Sequence, residues 1–146
     1  MSEQDKNVAV YRRLIDECFN KGDLDAVDDI AAPHFVEHEV QAEGTGPDVL
    51  KEAITFLRTA MPDLHFSIED MAVVGDRIWS RIEATGTHNG PIFGKPATGN
   101  PVRMGFMDVS RFENGQIVEH WGIPDNLAML LQMGIVSLPQ PEPAAD

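Results

Sequence analysis

Near Pro62 the apolar residues of this chain change their spacing, from the 3.6-residue period of a helix to the alternation of a strand. A chain with that switch builds helices first and an antiparallel sheet afterwards. Before it, Tyr11, Leu14, Ile15, Cys18 and Phe19 form one apolar stripe, which predicts a helix over residues 7–20 ended by Gly22. Asp23 is placed to cap a short second helix that turns Leu24, Val27 and Ile30 inward and is stopped by Pro33. A third helix begins near Thr45-Gly46-Pro47, buries Leu50, Ile54, Leu57 and Met61, and closes at Pro62.

After the switch, residues 64–74 and 77–85 read as strands joined by Gly75-Asp76. If those two residues are the whole loop, Asp70 faces Arg81 and Trp79 faces Ala72. A second hairpin runs over residues 102–112 and 116–123 around Asn114-Gly115, the strongest turn signal in the chain. Between the hairpins, the glycines and prolines of residues 86–101 predict a loop, read as a mobile lid or an oligomer contact. Asp125 or Asn126 caps a last helix that carries Leu127, Leu130 and Leu131 and stops at Gly134. The layout is α+β: one domain over residues 1–136, then a flexible Pro-rich tail over residues 137–146. A sheet of this size, curled around the first and third helices, leaves a cone whose open end suits a small ligand.

Charge narrows the partners. Twenty-four acidic and eleven basic residues leave a formal charge of −13, with no basic cluster beyond Arg12-Arg13, so neither nucleic acid nor an anionic membrane is an expected partner. The lone Cys18 forms no disulfide framework and lies on the buried stripe of the first helix, which argues against a nucleophilic thiol. No apolar run nears the roughly 20 residues that span a bilayer. The opening Met-Ser-Glu-Gln-Asp-Lys-Asn lacks the basic start and apolar stretch of a signal peptide, so a cytoplasmic protein is expected.

With the hairpins placed, several stretches resemble SnoaL-like proteins of the NTF2-like superfamily. They are Ala60-Met61-Pro62-Asp63-Leu64-His65, Ile68-Glu69-Asp70, Gly75-Asp76-Arg77, Gly86-Thr87-His88 and Thr98-Gly99. The last part of the chain adds Arg111-Phe112, the run from Asn114 through His120-Trp121, and Asp125 with Leu130-Leu131-Gln132-Met133-Gly134. The similarity covers residues 7–136. It implies an NTF2-like cone, with N-terminal helices on a curved, mainly antiparallel sheet and one C-terminal helix. It also implies a homodimer or homotetramer formed through the sheet. The family's cyclases close a ring on a polyketide ester by an intramolecular aldol step without metal or cofactor: an acidic side chain removes a proton alpha to a carbonyl. Such a base gains strength from burial, and the enolate needs donors facing it.

In those cyclases the catalytic aspartate stands on the last strand, two residues after a histidine. The matching position here is Gly122. Either another acid, such as Asp108 or Asp125, replaces it, or the chemistry differs. His120 is the candidate donor or proton shuttle, or else a histidine satisfied at a strand end. If Asn114-Gly115 closes a simple two-residue turn, His120 shares a face with Met107, Val109 and Val118, while Asp108, Glu119 and Trp121 share the other. A bulge would shift that pairing. Asp125 reads as a base or simply as a helix cap.

His34 and His38 would flank one metal ion on a helix, but on a strand they lie about 13 Å apart, too far for one ion, so no metal is expected. His38 alone is a candidate at the pocket. Phe35, Phe106 and Trp121 are candidate walls, with Met104, Met107 and His88 as further candidates; the methionines also read as core filling and His88 as a turn anchor. Two functions follow: a cofactor-free enzyme of the cyclase or isomerase type, which moves a proton alpha to the carbonyl of a small apolar compound so that ring closure, isomerisation or hydration can follow, or a non-catalytic carrier of an apolar ligand. A homo-oligomeric module with a filled cone is a third.

Overall fold

In a computed structural model that describes residues 1–144, the chain begins with helix α1 (Glu3–Arg13). It starts four residues earlier than the apolar stripe predicts. Ser2 is the reason: its Oγ accepts from the Asp5 amide at 3.0 Å, while the Asp5 carboxylate accepts from the Ser2 amide, a reciprocal cap that satisfies two free donors. The helix continues as a wider π-helical stretch, Leu14–Phe19, which keeps Leu14, Ile15 and Cys18 buried. The Asp23 carboxylate then accepts from the Ala26 amide and starts α2 (Asp25–Ile30).

Pro33 does not end α2. The helix stops at Ile30 and passes directly into strand β1 (Ala31–Glu37), which contains the proline. It is tolerated there because β2 (Gly44–Thr45) pairs only with Val36 and Glu37, leaving the edge beside Pro33 open. Helix α3 (Pro47–Ala60) has its proline in the first turn, as expected. Strands β3 (His65–Val74), β4 (Arg77–Thr87), β5 (Pro101–Glu113) and β6 (Gln116–Pro124) follow, then α4 (Asn126–Gln132). Residues 137–144 carry no helix or strand; the final two residues of the expected tail, 145–146, lie outside the described residues.

The six strands form one curved sheet in the order β2-β1-β6-β5-β4-β3, antiparallel everywhere except between β1 and β6. This is the α+β cone expected of an NTF2-like chain. Asp70 faces Arg81 and Ala72 faces Trp79, as the two-residue loop predicts, and Asp70 and Arg81 form an exposed ion pair at 2.7 Å. Asn114 and Gly115 both have positive φ, the conformation of a type I′ turn, and they close the second hairpin.

Just past that turn, Phe112 pairs with Ile117 but Arg111 pairs with Glu119. Val118 is therefore an extra residue in β6, and every later side chain on that strand changes face. Inside the cone, Phe35, Phe66, Ile78, Ile82 and Ile117 share one buried cluster with Tyr11, Ile54 and Met133. Among the described residues, no helix is long and apolar enough to cross a membrane.

Candidate active site

The helices do not fill the cone. A cavity of about 760 Å³ remains, walled mostly by apolar side chains that include Phe19, Phe35, Phe66, Phe106 and Met129. Val40 and Phe93, which are 81% and 62% exposed, mark its opening. Among its polar lining residues, Glu37, Glu39, Asp108, Ser110 and His120 cluster together.

Their arrangement follows from the strand register. Glu37 of β1 lies beside His120 of β6, which lies beside Ser110 of β5. One step along, Ser80 of β4 lies beside Asp108, which lies beside Gly122. The bulge at Val118 creates this grid. The simple turn would have put His120 with Met107 and Val109; the extra residue moves it to the side of Asp108 and Ser110 and sends Trp121 outward.

His120 Nδ1 donates to Glu37 at 2.8 Å, and Nε2 lies 3.7 Å from Asp108 Oδ1. Burial alone would lower the pKa of the ring. The carboxylates of Asp108 and Glu37 outweigh it and carry His120 up to about 10, so the imidazolium is the resting form. Glu37 is also tied to the next acid, accepting from the Glu39 amide at 2.9 Å. Burial raises Glu39 to about 7; His120 opposes that rise, and the charges of Glu37 and Asp108 add to it. A carboxyl with that pKa exchanges protons near neutral pH. Tyr11 hydrogen-bonds Ser80 at 2.5 Å, and its phenol is pushed upward by burial and by the Asp108 charge.

Gly122 explains where Glu39 goes. A Cβ at this position would lie 2.7 Å from Glu39 Oε2, 2.8 Å from His120 Cε1 and 3.0 Å from Asp108 Oδ1. The carboxylate that the resemblance places on β6 has no side chain to carry it, and the Glu39 carboxylate, from the segment after β1, stands against the bare position. Glu37, Glu39 and His120 also bring three ligand atoms within 4.8 Å of one another, a set able to hold a metal ion. A metal on the histidine Nδ1 would have to displace the proton given to Glu37.

The remaining candidates lie elsewhere. Asp125 caps α4, its Oδ1 accepting from the Ala128 amide at 3.0 Å. His38 stacks on Trp121 and bonds Glu119 on the outer face of the sheet, while His34 pairs with Glu113, so the two histidines do not share a site. His88 is buried and anchors the β4–β5 loop through Thr98. Met104 is buried away from the cavity lining, and Met107 is 59% exposed on the outer face. Of the candidate residues, the structure brings His120, Asp108, Phe35 and Phe106 together at the cavity. Sequence reasoning missed Glu37 and Glu39. Their signal was the alternation of Phe35, Glu37 and Glu39, which puts two acids on the same side of an extended chain as a core aromatic.

The profile of the SnoaL-like polyketide cyclase family matches residues 9–133. The chain is 28% identical over 137 residues to aklanonic acid methyl ester cyclase DauD of Streptomyces sp. (strain C5), covering 87% of this chain and 81% of that one. Among solved structures it is similar to wild-type IdmH of Streptomyces antibioticus, with TM-score 0.76 and 33% identity over 91% of this chain and 99% of that one. TsrD of Streptomyces laurentii superposes with TM-score 0.82 at 25% identity, covering 93% and 100%.

Proposed function

The chain belongs to the SnoaL-like polyketide cyclase family, and from that premise we propose that it is a cofactor-independent enzyme that moves a proton alpha to the carbonyl of a largely apolar substrate, with Glu39 as the base. The observation that carries this reading is the Glu39 carboxylate standing 2.7 Å from the point where a side chain on Gly122 would begin. Its pKa near 7 leaves a useful fraction ionised at neutral pH while keeping it a stronger base than a carboxylate in water.

The substrate enters the apolar cavity and presents its acidic C–H to Glu39. Glu39 takes the proton, and the electron pair of the C–H bond moves onto the carbonyl oxygen as an enolate. His120 Nε2–H, 3.7 Å from Asp108 Oδ1 and without a hydrogen bond of its own, faces the cavity and is free to donate to that developing charge. The enolate carbon then attacks a second carbonyl of the same molecule. The resulting alkoxide recovers the proton held on Glu39, and a ring is closed with no atom gained or lost. The cavity supplies orientation and excludes water.

Glu39→Gln tests the assignment. With a beta-keto ester substrate, exchange of the alpha proton with deuterated water is expected to fall by about a hundredfold or more. Exchange unchanged in this variant removes Glu39 as the base. A wild type that binds such compounds without exchanging the proton favours the carrier. The outer face supports a second copy as partner: Trp79, Met107 and Ile123 are 51%, 59% and 76% exposed on one side of the sheet. Sedimentation equilibrium should report a dimer or tetramer that Met107→Glu weakens.

A further inference from the structure

The cavity contains two buried polar atoms with no hydrogen-bond partner, Asp108 Oδ1 and Ser110 Oγ. Both residues line the cavity on β5, and both side chains are at least nine-tenths buried: Ser110 is fully buried and the Asp108 side chain is 10% exposed. No nearby group hydrogen-bonds them: Tyr11 and Ser80 are bonded to each other, His120 Nδ1 is committed to Glu37, and the bare Gly122 beside Asp108 offers no side chain. His120 Nε2 stands 3.7 Å from Asp108 Oδ1, a charge partner beyond hydrogen-bond reach. Buried polar groups without partners are uncommon in folded proteins and mark places where a guest or a water completes the bonding.

The chemistry of the two atoms limits that guest. An ionised carboxylate only accepts, so Asp108 needs a donor, and the serine hydroxyl can answer either a donor or an acceptor. Around them, the three carboxylates of Glu37, Glu39 and Asp108 face a single imidazolium. A fourth carboxylate would bring no proton to Asp108 and would add like charge in a poorly hydrated space. A hydroxyl or an ammonium satisfies Asp108, and the ammonium also corrects the shortage of positive charge. A water can occupy the same place, so a guest must reproduce the bonds it displaces.

We propose that Asp108 and Ser110 form a subsite for a hydrogen-bond-donating group of the guest, a hydroxyl or an ammonium, and that this subsite rejects a carboxylate. The inference rests on the cavity being the guest site and is independent of Glu39 acting as a base.

The test is calorimetric titration of the full chain at pH 8 with three guests of matched shape: 2-naphthylmethylamine, 2-naphthol and naphthalene-2-carboxylate. The amine and the naphthol are expected to bind about tenfold more tightly than the carboxylate, since a site built to bond a donor discriminates against a group that lacks one. Asp108→Asn should narrow the gap between amine and carboxylate. Ser110→Ala should weaken the naphthol severalfold and leave the carboxylate unchanged. Carboxylate binding equal to that of the amine, an unchanged ratio in Asp108→Asn, or no binding by any of the three overturns the proposal. Because no turnover is read, a failed proton-exchange assay in Glu39→Gln leaves this result standing, and the reverse also holds.

Discussion

Glu119 and His120 are neighbours on β6, yet they belong to opposite faces of the sheet and to two unlike electrostatic settings. On the outer face, Glu119 accepts from Arg111 Nε at 2.7 Å and from His38 at 2.8 Å, and Trp121 is covered by the His38 ring and by Arg77. Hydrogen bonds from His38 and Arg111 hold its carboxyl below the usual range. On the inner face, His120 is the cation among three acids, and burial with like charge holds Glu39 high. Glu119 has two basic partners on the outer face, whereas the three inner acids share one. A surface whose charges are matched gains structure from them, whereas unmatched charge beside a cavity is available for chemistry and recognition.

The largest separation between the faces should come from His120→Asn. It leaves Glu37 and Asp108 buried without their cation, and urea unfolding should show a loss of roughly 3 kcal/mol. Glu119→Gln is expected to lose under about 1 kcal/mol in the same measurement, because Arg111 keeps Glu113 and the pair is partly solvated. Equal losses would erase the distinction.

The pH response sharpens it further. His120 is raised from 6.5 to about 10, so its contribution to stability is complete below about pH 6.5 and is lost as pH rises through 10. Glu39, raised from 4.5 to about 7, also makes the fold less stable as pH rises through that interval. Glu119 is lowered, so its contribution is present above the ordinary carboxylate pKa and is lost as pH falls. Thermal melts should thus lose their alkaline limb in His120→Asn and part of their acid limb in Glu119→Gln. Proton exchange should rise through about pH 7 as Glu39 ionises and decline near pH 10 as His120 loses its proton. The smallest effect is expected from Arg77→Ala, which removes the guanidinium 5.1 Å above Trp121. A change of a few tenths of a kcal/mol is expected in the melt, with no change in exchange.

The local elements were legible because their signals are local. Period, caps and the two tight turns determine the helices and hairpins, and Asp125 is the helix cap its position before Asn126-Leu127 suggests. The site was less legible because two non-local features build it. Asn114-Gly115 specifies the pairs next to the turn, Glu113 with Gln116 and Phe112 with Ile117, but nothing in the turn announces the extra residue at Val118. That one residue decides whether His120 meets Met107 or Asp108. Glu37 reaches His120 through the parallel pairing of β1 with β6, strands that lie some eighty residues apart, and no short-range pattern encodes that neighbour. The empty position at Gly122 reads in the sequence as a loss; only the folded chain shows Glu39 against it.

That glycine bears on how such proteins are compared with one another. Reading down column 122, one would file this chain among those that have discarded their acid. Asking instead which atoms surround a given point in space, one finds a carboxylate delivered from a different stretch of the polypeptide, the one proposed above as the base. Sorting the family into catalysts and carriers by single columns would then misplace any member that has rerouted its carboxylate, and the count of silent members would come out too high.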